Sequence, residues 1–145
     1  MRIPAFISSL LLVLLILTTP ARATEYGHQK VVYHLNYDNT TRQKAALRNL
    51  QNHINAVGAK NLTAQVVMHG KGITLLQTAN EDQQLASKID SLKLQRVSFK
   101  ICANTIRKKK IPLDTLYDAH KDDIVPSGVA EIGHLQQQGF SYLRP

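Results

Sequence analysis

Two hydrophobic rhythms alternate along the chain. Val31, Val32 and Tyr33 lie in a β-rich run, Lys30 to Leu35, that ends at the turn-forming Asn36-Tyr37-Asp38-Asn39, which predicts a strand followed by a loop. From Thr41 to Val57, Leu47, Leu50, Ile54 and Val57 recur near the 3.6-residue period beside Ala45 and Ala46. With Asp38 or Thr40 able to cap the start and Gly58 able to stop it, this predicts an amphipathic helix. Leu62 to Met68 predicts a second strand, running into His69-Gly70-Lys71-Gly72. Asn80 is then expected to cap a second helix with the stripe Leu85, Ile89 and Leu92, and Gln83 stands where a capping-box partner would.

The rest of the chain continues the alternation. Val97, Phe99 and Ile101 alternate with Ser98 and Lys100, a third strand ending directly at Cys102. A short helical stretch should follow until Pro112 interrupts it, with another helical turn or two over Leu113 to Ala119. Ile124 and Val125 form a short fourth strand stopped by Pro126-Ser127-Gly128. Val129, Ile132 and Leu135 give a last helix ended by Gly139, and Phe140 to Leu143 is a fifth strand. Strands alternating with helices imply an α/β fold with parallel pairing and helices on both faces of a five-stranded sheet.

The first residues follow neither rhythm. Arg2 precedes an almost unbroken apolar run, Ala5 to Leu17, which Thr18-Thr19-Pro20 breaks before Ala21-Arg22-Ala23. This reads as a secretory signal peptide, residues 1–23, cleaved after Ala23, rather than a retained anchor, because the run is short for a span and the small-residue site is well formed. The expectation is a single domain over residues 24–145, periplasmic or secreted, with no membrane association in its mature form. The only cysteine lies far downstream, so a lipoprotein is excluded.

Composition narrows the classes further. At 145 residues and 43% hydrophobic side chains, the chain can bury an ordinary core, and its one cysteine excludes a disulfide scaffold. The +8 charge falls when Arg2 and Arg22 leave with the leader, to 16 basic against 10 acidic side chains, or +6. That is basic, yet with no Trp and only 5 Tyr and 3 Phe there are few platforms for bases, and no nucleic-acid partner is expected. The six histidines show no H-x-x-x-H or H-E-x-x-H spacing, so no metal site is expected, and Gly70-x-Gly72 is too short for a dinucleotide fingerprint, so no cofactor is implied.

In an open parallel sheet the functional crevice lies beyond the carboxyl ends of the strands. Asn36 and Asp38, His69 and Gly70, Cys102 to Thr105, and Ser127 and Gly128 fall there. A thiol at a strand-to-helix junction meets backbone N–H groups and the positive end of a helix dipole, both of which favour the thiolate, and Arg107 to Lys110 add positive potential. Two readings of Cys102 stay open at this point, a reactive thiol and a buried cysteine that finishes the core. His69 likewise reads either as a proton partner of the thiol or as a surface loop histidine.

Several segments together resemble the exported branch of the DsrE/DsrF-like family. They are Leu50-x-Asn52-His53, His69-Gly70, Phe99-Lys100-Ile101-Cys102-Ala103-Asn104-Thr105, and the tail from Val125 through Gly139 to Pro145. The resemblance spans Lys30 to Pro145. It implies a three-layer α/β/α domain with a five-stranded, mainly parallel sheet that assembles into homotrimers or homohexamers. In sulfur-relay relatives a cysteine after a central strand carries sulfur as a persulfide, and Cys102 is the matching position. On this reading Cys102 is catalytic, Asn104 and Thr105 steady the sulfur anion, and His69, Gly70, Asn36 and Ser127 line the site. A sulfur donor or acceptor protein, or an anionic sulfur species, is then the partner. The alternative is a non-catalytic oligomeric binding or assembly module in which the cysteine is structural.

Overall fold

The computed structural model describes residues 26–145, so the expected leader lies outside the described residues. The elements run β1 (Gln29–Leu35), α1 (Thr40–Val57), β2 (Leu62–Met68), a 3-10 turn (Gly70–Ile73), α2 (Thr74–Ala79), α3 (Gln83–Leu94) and β3 (Ser98–Cys102). They continue with α4 (Ala103–Lys109), β4 (Ile124–Val125), α5 (Gly128–Gln137) and β5 (Ser141–Leu143). The five strands form one all-parallel sheet in the order β4-β3-β2-β1-β5.

This order decides which helices lie on which face. From β1 to β4 the chain steps one strand at a time toward one edge, and the intervening helices cover one face. The return from β4 to β5 runs the opposite way, and a right-handed crossover in that direction places α5 on the other face. The two cores follow this division. Val31, Tyr33, Leu35, Val66, Met68, Phe99 and Ile101 pack with the buried stripes of α1, α2 and α3, while Val32 and Val67 meet Ile132, Leu135 and Phe140 on the α5 side. Successive strand residues point to opposite faces, so β1 and β2 serve both cores at once.

Local chemistry sets the boundaries. Asn39, rather than Asp38 or Thr40, caps α1 by accepting the Arg42 N–H at 2.8 Å, and Gly58 ends the helix at φ 89°, its N–H donating to the Ile54 carbonyl. Asp82 caps α3 by accepting the Leu85 N–H, and the expected capping box from Asn80 to Gln83 does not form. Asn80 instead closes α2 and donates its side-chain amide to the Thr115 carbonyl. Sequence periodicity had left Thr74–Ala79 unassigned, because a six-residue helix is too short to show a repeat; its Leu75, Leu76 and Ala79 are all buried. Leu113 to Ala119 makes only a 3-10 turn at Leu113–Thr115, after which the extended Leu116 enters the core at 3% exposure. In α5 the buried positions are Gly128, Ile132 and Leu135, and Val129 is 66% exposed, contrary to the expected stripe.

The turn after β2 passes so close to β1 that only glycine fits at position 72. A Cβ on Gly72 would lie 2.0 Å from the Leu35 carbonyl oxygen.

Candidate functional site

Cys102 is the last residue of β3 and the N-cap of α4. The neighbouring strand β4 leads instead into α5, whose N-cap is Ser127, accepting the Ala130 N–H at 3.4 Å. The two helices leave adjacent strand ends toward opposite faces, which makes this junction the topological switch point where open α/β sheets form their crevice.

The thiol sits among donors from both helices. The Thr105 hydroxyl and the backbone N–H groups of Gly128, Thr105 and Asn104 face it and favour its thiolate form, although the side chain makes no cap hydrogen bond to α4. Burial pushes the thiol pKa up, but these donors together outweigh it and hold the group below its ordinary value. The Thr105 hydroxyl is oriented for this task, because its oxygen accepts the Gly70 N–H at 2.9 Å and leaves its proton for the sulfur. Cys102 is only 4% exposed.

Gly128 is the spacer that lets these parts meet. A Cβ there would fall 2.9 Å from His69 Cβ and 3.3 Å from Cys102 Cβ. The same proximity follows from register: Val67 pairs with Lys100 and Met68 with Ile101, so one step further His69 stands beside Cys102 on the α5 side.

His69 is half-buried, not a surface loop residue, and its Nε2 lies 2.7 Å from His34 Nε2 with the rings stacked at 4.7 Å between centroids. His34 Nδ1 in turn meets the Tyr142 hydroxyl at 2.6 Å. His69, just past β2, His34 of β1 and Tyr142 of β5 thus form a hydrogen-bonded row, with Cys102 on the same face at the end of β3. Burial, His69 and the Arg144 guanidinium lower the His34 pKa to about 4, and burial with Arg144 lowers that of His69. Sequence reading missed His34 and Tyr142, since no short spacing links them to Cys102; the available signal was that His34 and Val32 share the strand face opposite Tyr33.

Of the expected site residues, Cys102, Thr105, His69 and Gly70 come together, and Asn104 joins them through its backbone N–H while its side chain pairs with Arg107. Ser127 contributes through its cap, which presents Gly128. Asn36 is engaged elsewhere, accepting from Arg144 of the tail at 2.8 Å. Gly70, Asn104, Thr105, Lys108 and Lys109 line a hollow of about 390 Å³ beside the thiol's donors. A roomier groove of about 600 Å³ between α1 and α3, walled by Leu47, Gln51, Ser87 and Leu92 among others, contains none of these groups. Among the described residues no cluster of three or more His, Cys, Asp or Glu side chains forms a metal cage, and no helix is long and apolar enough to cross a membrane.

A small all-parallel α/β domain with a thiol at its switch point defines the class of protein. Residues 29–145 match the DsrE/DsrF-like family, and the chain belongs to it. Among solved structures it is similar to a protein of unknown function, MTH1491 from Methanobacterium thermoautotrophicum, at 28% identity and a TM-score of 0.70. That likeness covers 81% of this chain and 99% of the other. No curated protein matches the sequence.

Proposed function

We propose that this protein carries sulfur on Cys102 as a persulfide. The observation that supports this reading is the placement of the thiol at the sheet's switch point, where the Thr105 hydroxyl and backbone N–H groups from two helix starts lower its pKa. The thiolate is the attacking species in exchange at sulfur. Against a persulfide donor R–S–SH, it attacks the outer sulfur, the S–S bond breaks and R–S⁻ leaves. Cys102–S–SH then yields its outer sulfur to an acceptor thiolate by the same displacement. The hollow bearing Lys108 and Lys109 suits an anionic sulfur species or an acidic surface of a partner protein.

The expected export signal and the homotrimeric or homohexameric state belong to the same proposal. Leu116 and Phe140, two apolar residues of the late elements, are buried within the single chain, and the large apolar side chains left exposed for an interface are Tyr26, Leu94, Val129 and Tyr142. Light scattering giving the mass of one chain across the micromolar range would refute the assembly.

Intact-mass analysis after exposure to a polysulfide tests the carrier. One added sulfur atom, removed by cyanide and absent in Cys102→Ser, is expected; no gain, or the same gain in the variant, overturns the reading. The second reading, a binding or assembly module with a structural cysteine, draws on the 4% exposure of Cys102. It requires that Cys102→Ala leave function intact.

A further inference from the structure

The groove between α1 and α3 lies on the face of the sheet opposite α5, away from Cys102, and has a volume of about 600 Å³. Two bridges between the helices bound it. At the start of α3 Lys44 pairs with Asp82, and just past its end Gln51 and Gln95 exchange amide hydrogen bonds of 3.0 Å and 2.8 Å. Between these bridges the buried Leu47 and Leu92 make a floor, and the α3 wall from Gln83 to Leu92 is about 13 Å long. An extended chain of about four residues fills that length.

The polar chemistry of the walls is one-sided. Arg48 from α1 and Lys88 from α3 both line the groove, and no Asp or Glu does. Neither cation has an ion-pair or hydrogen-bond partner among the described residues, whereas Lys44, outside the groove, is neutralised by Asp82. The side-chain amides of Asn52, Gln83 and Gln84 also line it with no hydrogen-bond partner among the described residues. A side-chain amide offers both an acceptor and donors, the complement of a peptide's N–H and C=O groups. No aromatic side chain lines the groove, so it has no platform on which a nucleobase could stack.

We propose that the groove between α1 and α3 docks an extended acidic peptide segment of a partner protein. The amides of Asn52, Gln83 and Gln84 hold its main chain, and Arg48 and Lys88 pair with its carboxylates. Successive side chains of an extended segment point to opposite sides, so two adjacent acidic residues reach the two cationic walls at once. A pair of neighbouring Asp or Glu residues is therefore the signature of the segment. Docking there is independent of the chemistry at Cys102, which lies on the other face of the sheet.

The test is selection on the immobilised protein from a displayed library of random peptides about seven residues long, more than the groove holds. Sequences with adjacent acidic residues should be enriched. Their affinity, read by fluorescence polarisation of the labelled peptides, should fall with added salt and weaken about tenfold or more when Arg48→Glu and Lys88→Glu are combined. Ser87→Phe, which fills the groove without altering its charge, should weaken binding similarly, and Lys108→Glu, at the hollow near Cys102, should leave it unchanged. All four positions are exposed, so the variants are expected to fold. A library that yields no acidic consensus overturns the proposal. So do acidic peptides that bind the double variant as tightly as wild type, or that are lost only in Lys108→Glu, since they occupy another basic surface. If the double variant instead breaks up an oligomer in light scattering, a second copy of this chain covers the groove and the proposal fails.

Discussion

The backbone N–H of Gly70 donates to Thr105 Oγ1 at 2.9 Å, and through that bond the turn after β2 determines where the Thr105 hydroxyl proton points. The proton goes to Cys102, so a loop on one strand tunes a thiol on the next. Removing the hydroxyl while keeping the shape, as in Thr105→Val, should raise the Cys102 pKa toward the ordinary thiol value, and Thr105→Ser should largely preserve it. Thiolate absorbance against pH measures this; an unchanged titration in Thr105→Val contradicts the arrangement. The same variant strands the Gly70 N–H, for which denaturant unfolding should show a loss of about 1–3 kcal/mol.

Gly128 packs against both His69 and Cys102 with no room for a side chain of its own. In Gly128→Ala the new methyl would lie 2.9 Å from His69 Cβ, and its neighbours are strand-anchored rather than flexible ends. The variant should lose about 1–3 kcal/mol of stability, the usual cost of overpacking, and should react with iodoacetamide at an altered rate. Wild-type values of both would show that α5 can move aside freely.

Stability should fall in mild acid because of His34. Its pKa in the fold is about 4, against 6.5 unfolded, so between these values the unfolded chain binds the extra proton. The contribution of the neutral ring is fully present above about pH 6.5 and is lost as pH falls toward 4, up to roughly 3 kcal/mol for a shift of this size. His69, lowered for similar reasons, adds in the same direction. Chemical denaturation across this window should show the slope in wild type and a flatter profile in His34→Gln.

The two faces of α5 predict opposite outcomes. Ile132 is 8% exposed against Val32, Val67, Leu135 and Phe140, whereas Val129 is 66% exposed. Ile132→Ala should cost about 2–5 kcal/mol, while Val129→Ser should change the stability of the single folded chain by no more than about 0.5 kcal/mol. Because α5 carries Gly128, loosening it through Ile132 should also speed alkylation of Cys102, which a thiol titration reads directly.

Much of the fold was legible locally. The period-2 run through Val97, Phe99 and Ile101 and the helical stripe through Leu47, Leu50 and Ile54 are properties of a few turns of chain, and they survive because burial rewards the same residues that the pattern marks. Cys102 at the end of β3 and Ser127 before α5 followed from those boundaries, and the family resemblance agreed with the whole. Local competition obscured the finer points. Asn80 and Asp82 are both competent caps, and the choice between them depends on Asn80 being drawn to the Thr115 carbonyl, 35 residues away.

The sequence alone determined a five-stranded α/β domain and the strand end on which its one cysteine lies. Tertiary structure decided what surrounds that cysteine. His34 and His69 are separated by 35 residues and His34 and Tyr142 by 108, so no spacing relates them. They meet because parallel pairing in the order β4-β3-β2-β1-β5 aligns the carboxyl ends of strands distant in sequence. Alternation along each strand then turns Cys102, His69, His34 and Tyr142 to the same face, where close packing brings His69, His34 and Tyr142 within hydrogen-bonding reach.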